Sequence, residues 1–257
     1  MSTALNRPAD EIGTAVVTTA EVAAFTSATL AYGTAGVSPL YAARLAAPVL
    51  RRVLAGAIAG GPVIHVAQDL VSHAPLETGQ LVSVRGRVAD VVDFGFGPAM
   101  VVEVDIAAAG RLLLTSTSTM LLHGRERVGR PAPRARRTAA GDQLAATEVA
   151  LPADLAARYA EASGDDNPIH TDDAAARAAG LPGVVVHGMC VLAVAWAATE
   201  RVLARPPVAA SCRFSRPVTP GADLAVRLCA TGSVDVVAAQ VSQRGHAVLK
   251  NATFEFS

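Results

Sequence analysis

The order of signals along this chain predicts an α+β fold made of two copies of one unit, each a long apolar helix followed by strands of an antiparallel sheet. Three observations carry that expectation. Pro75-Leu76-Glu77-Thr78-Gly79 runs into the strand-like Leu81-Val82-Ser83-Val84-Arg85, and Pro217-Val218-Thr219-Pro220-Gly221 runs into Leu224-Ala225-Val226-Arg227, an offset of 142 residues. Upstream, Ser38-Pro39-Leu40-Tyr41 lines up with Asn167-Pro168-Ile169-His170 at an offset of 129. In both halves the strands come in a run after one helix instead of alternating with helices, which points to an antiparallel sheet.

Each copy starts with a short helix and a turn. In the first copy an apolar, alanine-rich helix follows at about 43–59, then strands at about 64–73, 80–93, 99–109 and 111–122. In the second copy a helix at 154–162 is ended by Gly164, a small one at 174–179 is capped by Asp172-Asp173, and the long helix spans 188–203. Strands follow at about 209–216, 223–232, 234–244 and 246–256. Between the copies, residues 124–141 are rich in proline and glycine and hold six arginines and one glutamate. This segment reads as a linker, either a solvated connector across the back of the sheet or a basic patch for a phosphorylated ligand. The expected division is 1–123, 124–141 and 142–257.

The chain has 257 residues, 51% of them hydrophobic, with 22 basic and 22 acidic side chains, enough to bury a core without disulfide or metal staples. Zero net charge argues against a nucleic-acid or anionic-membrane partner and for a small one. Mean hydropathy is +0.37, but 54 alanines account for much of it, and no apolar run approaches the ~18 residues of a membrane span. The first residues lack the basic-then-apolar order of a secretory signal, so a cytoplasmic location is expected. Cys190, Cys212 and Cys229 lack metal-like spacing and read as packing residues. With Lys250 the sole lysine, Schiff-base chemistry has almost no candidate.

The segment richest in chemistry is Tyr159-Ala160-Glu161-Ala162-Ser163-Gly164-Asp165-Asp166-Asn167-Pro168-Ile169-His170. Pro168 forces Asn167 out of the α region, so Asp165 to His170 must form a tight irregular turn. A carboxylate and an imidazole on such a turn can share a water, an acid/base pair without a nucleophile. An isolated Asp and His would more simply be a turn cap and a packed side chain. Val185-Val186-His187-Gly188-Met189 then opens the long helix, where the Gly188 N–H meets the positive end of the helix dipole; by itself this reads as a plain strand-to-helix turn.

Taken together, these residues resemble the MaoC-like (R)-specific enoyl-CoA hydratases. The hydratase-2 signature reads Gly-Asp-any-Asn-Pro-aliphatic-His followed by a small residue, here Ala176, and the one departure is Ala162 where a branched aliphatic or glycine is usual. The resemblance covers the whole chain and implies a double hot-dog, two antiparallel sheets each wrapped around a long helix and joined into one. It implies that Asp165 and His170 are the catalytic pair, that Asn167 braces the turn, and that the Gly188 amide polarises a thioester carbonyl; His187 and Met189 join Asn167 as expected substrate contacts. In the first copy Gly36 and Tyr41 stand where Asp165 and His170 stand in the second, so that copy has lost the pair and is expected to line the acyl tunnel.

The implied reaction is reversible hydration of a trans-2-enoyl thioester to an (R)-3-hydroxyacyl thioester, with Asp165 activating water and His170 sharing it. The substrate is an acyl-CoA or an acyl-carrier-protein thioester, and no metal or redox cofactor is required. A dehydratase acting on carrier-bound substrates, a hot-dog thioesterase and a non-catalytic acyl-thioester-binding subunit are the rival readings. A homodimer of double hot-dogs is a further expectation. His65, His73, His123 and His246 lack ligand spacing and are assigned no chemistry, and a zinc site on His170 and Asp172 lacks a third ligand.

Overall fold

The computed structural model describes residues 10–34, 36–57, 63–122, 129–132 and 138–257. The chain runs β1 (Glu11–Val16), α1 (Thr19–Ala28), a 3-10 turn at Pro39–Tyr41, α2 (Ala42–Ala57), β2 (Val63–Ser72), β3 (Leu81–Asp93), β4 (Pro98–Ala108) and β5 (Arg111–Leu122). After the two-residue β6 (Arg130–Pro131) come β7 (Gln143–Val149), α3 (Leu155–Ser163), a 3-10 turn at Pro168–His170, α4 (Asp173–Ala178), α5 (Gly188–Leu203), β8 (Ala209–Phe214), β9 (Leu224–Cys229), β10 (Val236–Gln243) and β11 (His246–Glu255).

The sheet order is a palindrome, β1-β3-β4-β5-β2 followed by β8-β11-β10-β9-β7, with β6 pairing to β3 off the path. The two halves join where β2 pairs antiparallel with β8, from Ala67 opposite Arg213 to Val71 opposite Ala209. This is the expected double hot-dog with a continuous sheet. In the second half α5 is buried all round from Cys190 to Glu200, as a helix at the centre of a wrapped sheet must be. In the first half α2 packs its Leu45, Val49 and Val53 stripe against β1, β3 and β4.

Gly86 of β3 lets α2 come close: a Cβ there would lie 2.6 Å from Val49 Cγ1 and 3.2 Å from Val53 Cγ2. We expect Gly86→Ala to lower stability by about 1–3 kcal/mol through overpacking, read as a shifted denaturation midpoint. An unchanged midpoint would show that α2 moves freely on the sheet.

The copies share more than the turns that revealed them. Ser38 Oγ accepts from Leu40 N at 3.3 Å, and Asn167 Oδ1 accepts from Ile169 N at 3.4 Å, so each 3-10 turn is capped in the same way. Each copy also opens with an edge strand, β1 or β7, that the sequence reading did not find. Both are short, threonine- and alanine-bearing and half exposed, so neither carries a strong strand pattern. The α2 helix ends at Ala57, and 58–62, with Gly60 and Gly61, lie outside the described residues.

Within the linker, 124–128 and 133–137, like His123, lie outside the described residues. Arg130, described, donates to Asp90 Oδ2 through both Nε at 3.0 Å and Nη2 at 2.6 Å, so its charge is already paired. All three cysteines are buried, with the Cys190 and Cys212 thiols pushed up by burial, which fits the packing role. Among the described residues no helix is long and apolar enough to cross a membrane.

Candidate active site

Helix α3 delivers the signature turn. Gly164 ends the helix in the left-handed conformation at φ 72°, with its N–H on Ala160 O. A side chain there would be strained by that φ, and its Cβ would also sit 2.8 Å from Arg44 Nη1. The chain then climbs through three successive bonds of one pattern, each a side-chain oxygen accepting from the amide two residues on. Ser163 Oγ accepts from Asp165 N at 3.2 Å, Asp165 Oδ1 from Asn167 N at 3.3 Å, and Asn167 Oδ1 from Ile169 N. Small polar residues spaced by two thus hold the turn without regular structure.

At its end His170 turns inward, 9% exposed, and its Nδ1–H donates to Val185 O at 2.7 Å. Since that carbonyl can only accept, Nδ1 carries the proton and Nε2 keeps its lone pair. Burial lowers the His170 pKa, outweighing the Val185 bond and the Asp165 charge that raise it. The ring is therefore a neutral acceptor at pH 7.

His187 stacks on it, with centroids 3.6 Å apart and planes 22° off parallel. It is 2% exposed, its Nε2–H donates to Asp165 O at 3.1 Å, and the Asp165 carboxylate lies 4.0 Å away. Burial and then the neighbouring His170 push its pKa down to about 4. Expected as a substrate contact, His187 lines the cavity but spends its Nε2 on the Asp165 carbonyl, so the structure also gives it a positioning role. It is the N-cap residue of α5, and Gly188 and Met189 follow in the first turn, where amides have no acceptor within the helix. Gly188 is required by space: a Cβ would lie 2.9 Å from Phe214 Cδ1.

Asp165, Asn167, His170, His187, Gly188 and Met189 all line one cavity of about 600 Å³, within the range of roughly 300–1,000 Å³ typical of small-ligand sites. The first half supplies much of the remaining wall: Ala46, Leu50 and Leu54 of α2, His65 and Gln68 of β2, and Ser116, Ser118 and Met120 of β5. Arg51 and Arg216 also line it, whereas Arg213 stacks over the Phe94 ring at 4.7 Å. Tyr41 has no route to such chemistry; it is buried, with its hydroxyl 3.3 Å from Glu21 Oε2.

His65 is the residue the sequence reading passed over. It lines the cavity, rests against the Phe214 ring at 4.8 Å, and donates from Nε2 to Ala67 O at 3.0 Å. Burial holds its pKa down to about 4, against the opposing Ala67 bond and the Asp165 charge. A histidine within a strand carries no sequence signal of this kind; only the β2–β8 pairing brings it towards Asp165. Tyr159, whose ring lies 4.8 Å from His187, is likewise in the wall, with a buried hydroxyl that has no partner among the described residues.

Three buried histidines of lowered pKa make stability fall with acid. The unfolded chain takes up these protons near pH 6.5, and the folded chain resists until about pH 4 at His65 and His187, so stability is full above 6.5 and lost as pH falls between those values. We expect the melting temperature to drop through that window, and His65→Leu to make the drop shallower. A flat profile in the parent chain would contradict the neutral assignment.

One ligand atom each from Asp165, His170 and His187 lie within 4.8 Å of one another, so they are the described residues able to approach a cation. Zinc needs its ligand atoms at about 2.0–2.2 Å from the metal, however, and the His187 Nε2 is already hydrogen-bonded to Asp165 O. Ligand atoms of Asp165 and His170 within 4.8 Å of each other are close enough to share one water.

The chain is similar to several known proteins. Residues 134–252 match the MaoC like domain family. The chain is 31% identical over 207 residues to peroxisomal multifunctional enzyme type 2 of Drosophila melanogaster, covering 74% of this chain and 33% of that protein. It is 32% identical over 176 residues to 3-hydroxyacyl-thioester dehydratase Y of Mycobacterium tuberculosis, covering 63% and 60%. The chain thus spans less than two thirds of these relatives. A MaoC-like dehydratase structure from Phytophthora capsici superposes with a TM-score of 0.81 over 98% of this chain and 97% of that one, at 19% identity, a likeness of fold. Residues 134–252 of this double hot-dog chain, which hold the signature turn and the start of α5, are thus a MaoC-like domain.

Proposed function

We propose that this chain adds water reversibly to trans-2-enoyl thioesters, giving (R)-3-hydroxyacyl thioesters. The observation that carries the reading is that Asp165, His170 with its neutral ring, and Gly188 in the first turn of α5 all line one cavity. A water between Asp165 and His170 is polarised by two acceptors. As its oxygen bonds to C3, the proton it loses passes to the pair, and negative charge builds on the thioester oxygen. The Gly188 N–H, at the positive end of α5, stabilises that enolate. The pair returns the proton to C2 as the enolate collapses, so atoms and charge balance without a further reagent.

The similarity to a protein named a 3-hydroxyacyl-thioester dehydratase supports the reaction class. In this reading residues 142–257 carry the chemistry, residues 1–123 supply the acyl pocket, and 124–141 connect them. Coenzyme A is the preferred handle and a carrier protein the alternative, with Arg51 and Arg216 the cations nearest to hand. Crotonyl-CoA given to the purified chain should lose its conjugated absorbance and yield (R)-3-hydroxybutyryl-CoA. Hydration seen only on a carrier-bound substrate would move the handle to the carrier protein, and no hydration on either would overturn the reading.

A further inference from the structure

The inner face of the first half's sheet departs from the apolar rule at one place. Along β5 the buried positions run Leu114, Ser116, Ser118, Met120, so two serines stand where a sheet covered by a helix normally carries aliphatic side chains. Gln68 of β2, 1% exposed, is directly opposite Ser118. The corresponding strands of the second half, β8 and β11, bury Ala210, Cys212, Ala252 and Phe254 instead. The polar trio therefore belongs to the half that has lost the catalytic pair, and all three residues line the same cavity as Asp165.

Its hydrogen bonds can be assigned. Gln68 Nε2 donates to Asp69 O at 2.6 Å, an acceptor only, which fixes the amide's orientation. The second Nε2 hydrogen goes to Ser116 Oγ at 2.9 Å, and Ser118 donates to Gln68 Oε1 at 2.8 Å. Gln68 has thereby committed both its donors. Ser116, already accepting, keeps its own O–H to give, and Ser118, already donating, keeps lone pairs. Among the described residues, one free donor and one free acceptor are thus set side by side in the wall that Leu50, Leu54, Val104 and Met120 also line.

We infer that this pocket is specific for an acyl chain bearing an oxygen distal to the thioester, above all a hydroxyl, held by Ser116 and Ser118. The inference rests on the hydration reading and names its substrate class. A hydroxyl accepts from Ser116 and donates to Ser118, a keto oxygen only accepts, and a plain alkyl chain does neither while shutting water away from both serines. Leaving such groups unpaired in a buried site is what makes a polar pocket reject an apolar analogue. The order of preference is hydroxyl, then keto, then alkyl.

The test is a panel of trans-2-enoyl-CoA thioesters matched in length, plain, keto-substituted or hydroxylated, with the substituent moved along the distal chain. The expected result is a kcat/KM for the best hydroxylated substrate at least about tenfold above the plain one. That ratio should collapse towards unity in Ser116→Ala and in Ser118→Ala, small changes that keep the strand register. Hydration of the plain substrate without a preference for any oxygenated one, or a preference that survives both substitutions, overturns the inference and leaves the hydration reading standing. No hydration of any substrate overturns both.

Discussion

Asp165→Asn is expected to lower turnover at least about a hundredfold with little change in melting temperature, since an acid/base role in a reaction of this kind is worth about 10²–10⁴ in rate. Asp165 is exposed, and asparagine keeps the Oδ1 that accepts from the Asn167 amide, so the turn survives while the proton acceptor is lost. His170→Ala should cost as much in rate and, unlike Asp165→Asn, some stability as well. It removes the bond to Val185 O and the ring stacked on His187. Asp166→Ala should be mild, because Asp166 is exposed and forms none of the bonds that build the turn. Near-parent hydration rates in both Asp165→Asn and His170→Ala would remove the pair from the mechanism.

Separating the halves should have a still larger effect on the folded state. A fragment of residues 138–257 would expose the β8 edge that β2 now covers over five residue pairs, and would lose the α2, β2 and β5 walls of the cavity. An uncovered strand edge next to apolar surface invites pairing with another chain. We expect the fragment to aggregate or self-associate and to lose activity, as read by light scattering and hydration assay. A monomeric, fully active fragment would show that the first half contributes neither cover nor pocket.

The parts of this fold legible in the sequence were those whose signals are local. The Asn167-Pro168 turn, Gly164 at the end of α3, Asp172 capping α4 and the apolar run from Gly188 each depend on residues a few positions apart. The repeat was visible for the same reason, since prolines and glycines at equal offsets mark equal turns. The edge strands β1 and β7 were not legible, being half exposed and weakly patterned. The contributions of His65 and Gln68 were hidden because they arise from pairing across the halves and across β2 and β5, contacts about 50 residues or more apart in the chain. His187 shows the limit within the site itself: its place before α5 was legible, but its stacking on His170 and its bond to the Asp165 carbonyl were not.

The central claim is that water attacks C3 of an enoyl thioester at Asp165 and His170, and oxygen-labelled water tests it most directly. Crotonyl-CoA incubated with the purified chain in labelled water, followed by mass spectrometry of the products, should give 3-hydroxybutyryl-CoA with the label in the hydroxyl group and the thioester intact. Asp165→Asn should leave the label almost entirely in the solvent. Label recovered in a free carboxylate together with released coenzyme A, or no incorporation by the parent chain, would contradict the account.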